Sequence, residues 1–160
     1  MMPKDKNEVV NNEACVNNDN DEGRVFILRW KPEISNISIE LYNQIREESD
    51  PTLCWKIRDW QEAHEGDKIV MICEGTENPG IVFHGKLLEE PIECESWGNE
   101  HEMKHDALIS VESAVNPNQG ALVPLDELAA KIPDFNWRCG HSGELLTQEQ
   151  SRKLREIMPL

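Results

Sequence analysis

The apolar residues of this chain arrive in short runs, and turn formers cut each run off. Val25-Phe26-Ile27-Leu28 ends near Trp30, where Pro32 stops it. Lys68 to Cys73 (KIVMIC) lies between the turn His64-Glu65-Gly66-Asp67 and the turn-rich loop Glu74 to Pro79. Gly80 to Leu88 (GIVFHGKLL) follows at once, with glycines that hint at a bend or bulge. Runs this short, bounded by Gly, Pro and Asp, read as buried strands. Asp106 to Val111 (DALISV) alternates as a fourth, and Cys54 to Ile57 is a short extended piece. Helical spacing is brief. Ile37, Leu41, Tyr42 and Ile45 make an amphipathic helix of Ser38 to Arg46, broken by Asp50-Pro51. Ala121 to Val123 is a short segment before Pro124. Leu125 to Ile132 gives a helical turn or two before Pro133, and Gln148 to Met158 a polar helix capped by Thr147. No long crossover helices alternate with the strands, so the strands are expected to pair as hairpins. The expected class is α+β, with a small, strongly bent or barrel-like antiparallel β-sheet and flanking helices.

The chain divides into a tail and a body. Residues 1–23 hold no aromatic residue, many Asn and an excess of Asp and Glu, so they bury too little apolar area to offset ordering entropy. They read as a disordered acidic tail, and residues 24–160 as one domain. Lys and Arg number 16 against 31 Asp and Glu, a net charge of −15. Such a field disfavours indiscriminate binding to nucleic-acid backbones and to anionic membranes. A basic patch still acts over about one Debye length, ~8 Å in physiological salt. No apolar run approaches the ~18 residues of a spanning helix, and no apolar leader stands at the N-terminus. Five cysteines at 15, 54, 73, 94 and 139, with no CxxC, read as reduced thiols of a cytoplasmic protein.

His101-Glu102-Met103-Lys104-His105 fits the HExxH pattern, in which His101 and His105 would hold zinc and Glu102 would act as base. That chemistry needs a helix, because only there do residues i and i+4 share a face. The flanking Trp97-Gly98-Asn99 and DALISV do not supply one. Cys139 near His141 has no demonstrated attack geometry, and no GxSxG, P-loop or dinucleotide-binding glycine pattern occurs. No cofactor and no catalytic residue is expected, and the zinc hydrolase stays a remote alternative.

The tryptophans carry more information. Five occur, at 30, 55, 60, 97 and 137, against three Phe and one Tyr. An indole face stacks on a nucleobase with ~1–3 kcal/mol per base and needs no charge to do so; the alternative is that each Trp fills the core. Trp30, Trp55 and Trp60 fall at element ends and turns, where sites form. In Trp137-Arg138-Cys139-Gly140-His141-Ser142-Gly143, two glycines frame an imidazole and a hydroxyl able to read the polar edge of a flat ligand, beside Arg138 for a phosphate. The same run also fits a plain structural turn.

Residues 24 to about 157 resemble the EVE-type domains of the PUA-like superfamily, within a bacterial subgroup. The likeness rests on the first strand ending at Trp30, on Trp55 followed by Trp60, on Ala63-His64-Glu65-Gly66-Asp67 before an apolar strand, and on Pro79-Gly80-Ile81-Val82 leading to Gly85. Most specific are Ile132-Pro133-Asp134-Phe135-Asn136-Trp137 and Gly140-His141-Ser142-Gly143-Glu144-Leu145-Leu146. The resemblance implies a barrel-like sheet, and a modified base flipped out of its strand into an aromatic pocket. By position it puts Trp30, Trp55 and Trp60 at the pocket walls, with His141, Ser142 and Gly143 at the ligand edge.

The expected function is therefore a non-catalytic module reading a modified nucleobase in DNA or RNA. Its expected ligand-binding residues are Trp30, Trp55, Trp60, Trp137, Arg138, His141, Ser142 and Gly143. The basic candidates Arg24, Arg29, Lys31, Lys56, Arg58, Lys86 and Arg138 are scattered, and only folding can gather them. A free nucleoside or nucleotide, or a protein partner, is the alternative occupant on the same fold.

Overall fold

The computed structural model describes residues 23–95 and 103–160. The acidic tail up to residue 22, together with Trp97, His101 and Glu102, lies outside the described residues. The chain order is β1 (Val25–Trp30), a 3-10 turn (Pro32–Ile34), α1 (Ile39–Arg46), β2 (Thr52–Lys56) and a second 3-10 turn (Trp60–Glu62). Then come β3 (Lys68–Cys73), β4 (Gly80–Leu87), β5 (Ile92–Glu95), β6 (Met103–Ala114), β7 (Val123–Pro124), α2 (Leu125–Lys131), β8 (Glu144–Leu145) and α3 (Gln148–Ile157). The sheet order is β8-β1-β3-β4-β6-β2, with β5 added on β6 and β7 on β4. This is a curled, mixed sheet with three helices, an α+β architecture.

The sheet is not wholly antiparallel. β1 and β3 run parallel, from Val25 opposite Lys68 to Trp30 opposite Cys73, while the other pairs are antiparallel. Pairing sequence neighbours as hairpins misses this, because α1 and β2 intervene and β2 crosses to the far edge beside β6. The parallel pair also explains why VFIL and KIVMIC are apolar throughout. Phe26, Leu28, Trp30, Ile69, Met71 and Cys73 enter one core with Tyr42 of α1. Val25, Ile27, Val70 and Ile72 enter a second core under Leu128 of α2 and Leu154 of α3. A central strand covered on both faces has no polar alternation to offer.

Local chemistry sets the helix ends. The Ser38 hydroxyl accepts the Leu41 amide at 3.1 Å. Thr147 and Gln150 form a reciprocal capping box that starts α3. The expected bend in the glycine-bearing strand is a register shift between His84 and Gly85, where β4 pairs with β6. β6 begins three residues earlier than DALISV predicts, at Met103, because its first residues pair with β5.

Candidate functional site

Arg29 is the one charged residue inside the first apolar run, and it organises the late glycine-rich loop. Its side chain is 7 % exposed. The guanidinium donates to the carbonyls of Asn136 (2.5 Å), Trp137 (2.9 Å) and His141 (3.3 Å), and pairs with Glu144 at 3.2 Å. It also lies over the Phe135 ring, 5.6 Å from the centroid. A planar five-donor fork suits several carbonyls converging from one loop.

The loop is then stitched to β1 and to the turn that follows β2. The Gly143 amide donates to Ile27 O at 2.7 Å, and the amides of Arg58 and Asp59 donate to the carbonyls of Ser142 and Gly143 at 3.1 and 3.0 Å. Gly143 has φ of +87°, and a Cβ there would lie 2.5 Å from the Arg58 nitrogen. Only glycine meets both conditions. The Ser142 hydroxyl accepts the Arg29 backbone amide at 3.0 Å and the Trp55 indole N–H at 3.1 Å. Both acceptor positions of that oxygen are filled, so its remaining capacity is one O–H donor.

Beside this loop lies an open cleft of about 370 Å³, lined by Lys56, Ile57, Arg58, Trp60, His105, His141 and Ser142. The Trp60 indole is 38 % exposed. The His105 imidazole stacks on it at 3.7 Å between centroids, with 6° between planes. Lys56 pairs with Asp106 at 2.7 Å at the rim, and Arg58 is exposed next to it. The arrangement offers a stacked Trp60–His105 pair whose facing surfaces cover each other, one directed hydroxyl donor, the His141 imidazole, the Arg58 guanidinium and a lysine paired with Asp106.

Of the sequence-derived candidates, Trp60, His141 and Ser142 line this cleft, while Gly143 shapes its wall. Trp55 is half-buried behind Ser142 and orients that hydroxyl. Trp30 and Trp137 are corrections. They are 1 % and 2 % exposed, and their indole N–H groups are taken by the carbonyls of Ile37 and Ile132 at 2.9 and 2.8 Å. Each is a core residue with its polar atom satisfied, so neither presents a face to this cleft; Trp137 lies instead, with Phe135 and Arg138, along a separate open cleft of about 420 Å³. Arg138 is also displaced: it pairs with Asp126 at 2.5 Å and is not among the residues lining the cleft. Three indoles around one slot are thus not what the fold builds. Of the HEMKH run, Met103 to His105 is strand rather than helix, and no group of metal-ligating side chains occurs among the described residues. His105 enters the cleft as an aromatic ring, a role the zinc pattern concealed.

No protein-family model matches the sequence, and a comparison with curated protein sequences found no match. Solved structures share the fold. The human THYN1 protein, in complex with DNA containing 5-methylcytosine, is 15 % identical with a TM-score of 0.60, over 84 % of this chain and 97 % of that one. A hypothetical protein of Leishmania major is 12 % identical with a TM-score of 0.55, over 86 % and 96 %. The DUF55 domain of human thymocyte nuclear protein 1 is 17 % identical with a TM-score of 0.53, over 82 % and 96 %.

Proposed function

On a chain that has the EVE-type, PUA-like fold, we propose a non-catalytic module that binds a modified nucleobase of DNA or RNA in the cleft between Trp60 and the His141–Gly143 loop. The observation that carries this reading is the stacked Trp60–His105 pair beside a hydroxyl donor whose direction is set by Trp55 and Arg29. Trp60 holds the His105 ring at stacking distance, so a base stacks on the outer face of this pair or takes the place of His105. Ser142, with only its proton to give, selects an acceptor atom on the ligand edge, a carbonyl oxygen or a ring nitrogen. Arg58 supplies local positive charge at the rim, where Lys56 is paired with Asp106, in a protein whose overall sign opposes nucleic acid. The complex of the THYN1 protein with methylated DNA on this fold supports the same direction.

The test is a set of fluorescent oligonucleotides, single- and double-stranded, each in modified and unmodified form, titrated with the full chain. At least one modified base is expected to bind at least tenfold more tightly than its parent. Trp60→Ala is expected to lose about tenfold or more in affinity, following the stacking magnitude of ~1–3 kcal/mol per base. Trp60 is more than half buried and stacked on His105, so the melting temperature of the variant is measured beside its affinity to establish that it is folded. Equal affinity of wild type and folded Trp60→Ala for every oligonucleotide would reject the cleft. Binding of free nucleosides alone, read by thermal shift, would assign it to a small molecule instead.

A further inference from the structure

Three of the seven arginines of this acidic chain line one cleft. Arg24, Arg152 and Arg155 surround a volume of about 590 Å³ where β1 begins and α3 starts, with the buried Ser151 in its wall. Among the described residues one carboxylate lines it, Asp67, and that group is committed to backbone: its two oxygens accept the amides of Arg24 (3.3 Å) and His64 (2.8 Å). The start of α3 is closed by its own capping box, so arginine side chains, not free helix amides, make the cleft attractive to an anion. Arg155 donates to Gly23 O at 3.1 Å, and Arg152 pairs with Glu149 and Glu156 of its own helix. A guanidinium has five N–H donors, so it can hold partners of its own and still meet a further oxygen.

Position connects this cleft to the first one. From Ser142 the chain runs antiparallel along β1, with Glu144 opposite Ile27 and Leu145 opposite Phe26, and reaches the arginine cleft at Leu145 to Thr147. Only Glu144 and Leu145 of this stretch are strand, and Ser142 and Gly143 form a turn, so three to five residues span at most roughly 10–17 Å. That is at most about three to five steps of a B-form strand at ~3.4 Å each. We infer that the Arg24–Arg155 cleft binds a backbone phosphate of the same strand whose base enters the Trp60 cleft, a few nucleotides away. This rests on the proposed nucleic-acid reading and adds to it a second, sequence-independent anchor.

Salt titration of oligonucleotide binding by the full chain tests it. In Arg24→Gln, and in Arg24→Gln/Arg155→Gln, the plot of log affinity against log salt is expected to become shallower by about one for each phosphate no longer neutralised. The weakening should be equal for modified and unmodified bases, unlike that of Trp60→Ala. Arg24→Gln removes no side-chain bond to Gly23, so it separates binding from folding. A neutral methylphosphonate placed three to five nucleotides from the modified base should reproduce the variant slope in wild type. Parallel salt plots for wild type and both folded variants would overturn the inference. If wild type binds no oligonucleotide, inorganic pyrophosphate titrated by calorimetry decides. Heat in wild type that disappears in the variants keeps the phosphate site for a free phosphate compound while the base-reading proposal fails, and no heat removes the site.

Discussion

The indole N–H of Trp55 and the hydroxyl of Ser142, 87 positions apart, meet at 3.1 Å. This bond joins an edge strand to the late loop and turns Ser142 into an oriented donor. Trp55 also stands edge-on to the buried Trp30, with centroids 6.4 Å apart and planes at 80°, so its ring has little freedom to move. Core packing is thereby passed through one indole to the polar side of the cleft.

Trp55→Phe separates these two roles. The ring packing against Trp30 persists, and the bond to Ser142 disappears. The expected cost is about 1 kcal/mol of stability, the usual net worth of one neutral hydrogen bond, read as a shift in the urea midpoint. Ligand affinity should fall further than in Trp30→Phe, whose indole bonds Ile37 away from the cleft. Equal affinity losses in the two variants would show that Ser142 does not depend on Trp55.

Arg29→Met removes a nearly buried guanidinium and leaves three carbonyls and the Glu144 carboxylate without it. With Glu144 partly open to solvent, the cost is that of losing charge-assisted hydrogen bonds, ~1.5–3 kcal/mol. Arg29→Lys is expected to recover less than half of this, because a point ammonium cannot span Asn136, Trp137 and His141 together. Chemical denaturation of both variants checks the order. A destabilisation below about 1 kcal/mol in Arg29→Met, no more than one ordinary hydrogen bond, would mean the loop holds itself.

These residues also mark what the amino-acid order made readable. The paired glycines around His141 and Ser142, and the apolar runs of β1 and β3, depend on neighbours in sequence, so the loop and the central strands were legible. The fates of the tryptophans were not. Trp30 and Trp60 both stand at element ends, and only packing against Tyr42 at 4.8 Å decides that Trp30 is core. Trp60 meets His105, 45 positions on, and no local pattern encodes that stack. The parallel β1–β3 pair escaped for the same reason: its register depends on where β2 goes. Arg29 did leave a mark, since a cation inside a run of buried strand residues demands partners.

Gly143→Ala combines two penalties. A Cβ would lie 2.5 Å from the Arg58 nitrogen and 2.6 Å from Ile57 Cα, both rigid backbone, and φ is +87°. Gly66 has φ of +92° with nothing within 4 Å of its Cβ position, so Gly66→Ala isolates the conformational part, about 1–2 kcal/mol. Gly143→Ala is expected to cost clearly more, and to lower oligonucleotide affinity as the loop moves away from β1. Matching denaturation midpoints for the two variants would contradict the close approach.

His84 gives the chain a pH dependence with a definite sign. It sits at the β4 bulge with 12 % of its side chain exposed, and its Nδ1 has no hydrogen-bond partner. Burial pushes its pKa below the ordinary value of about 6.5; the Glu112 carboxylate 3.7 Å away opposes this, and Lys68 adds to it. A histidine with a depressed folded pKa binds its proton more readily in the unfolded chain. Well above pH ~6.5 neither state is protonated and His84 contributes no slope. As the pH falls below that value, the unfolded state takes the proton first and stability drops, until the folded pKa is also passed. Urea midpoints at pH 7.5 and 5.5 are therefore expected to differ more in wild type than in His84→Asn, which has no group to titrate there. Identical differences would place His84 in an environment that tolerates its charge, and the bulge would then be open to water.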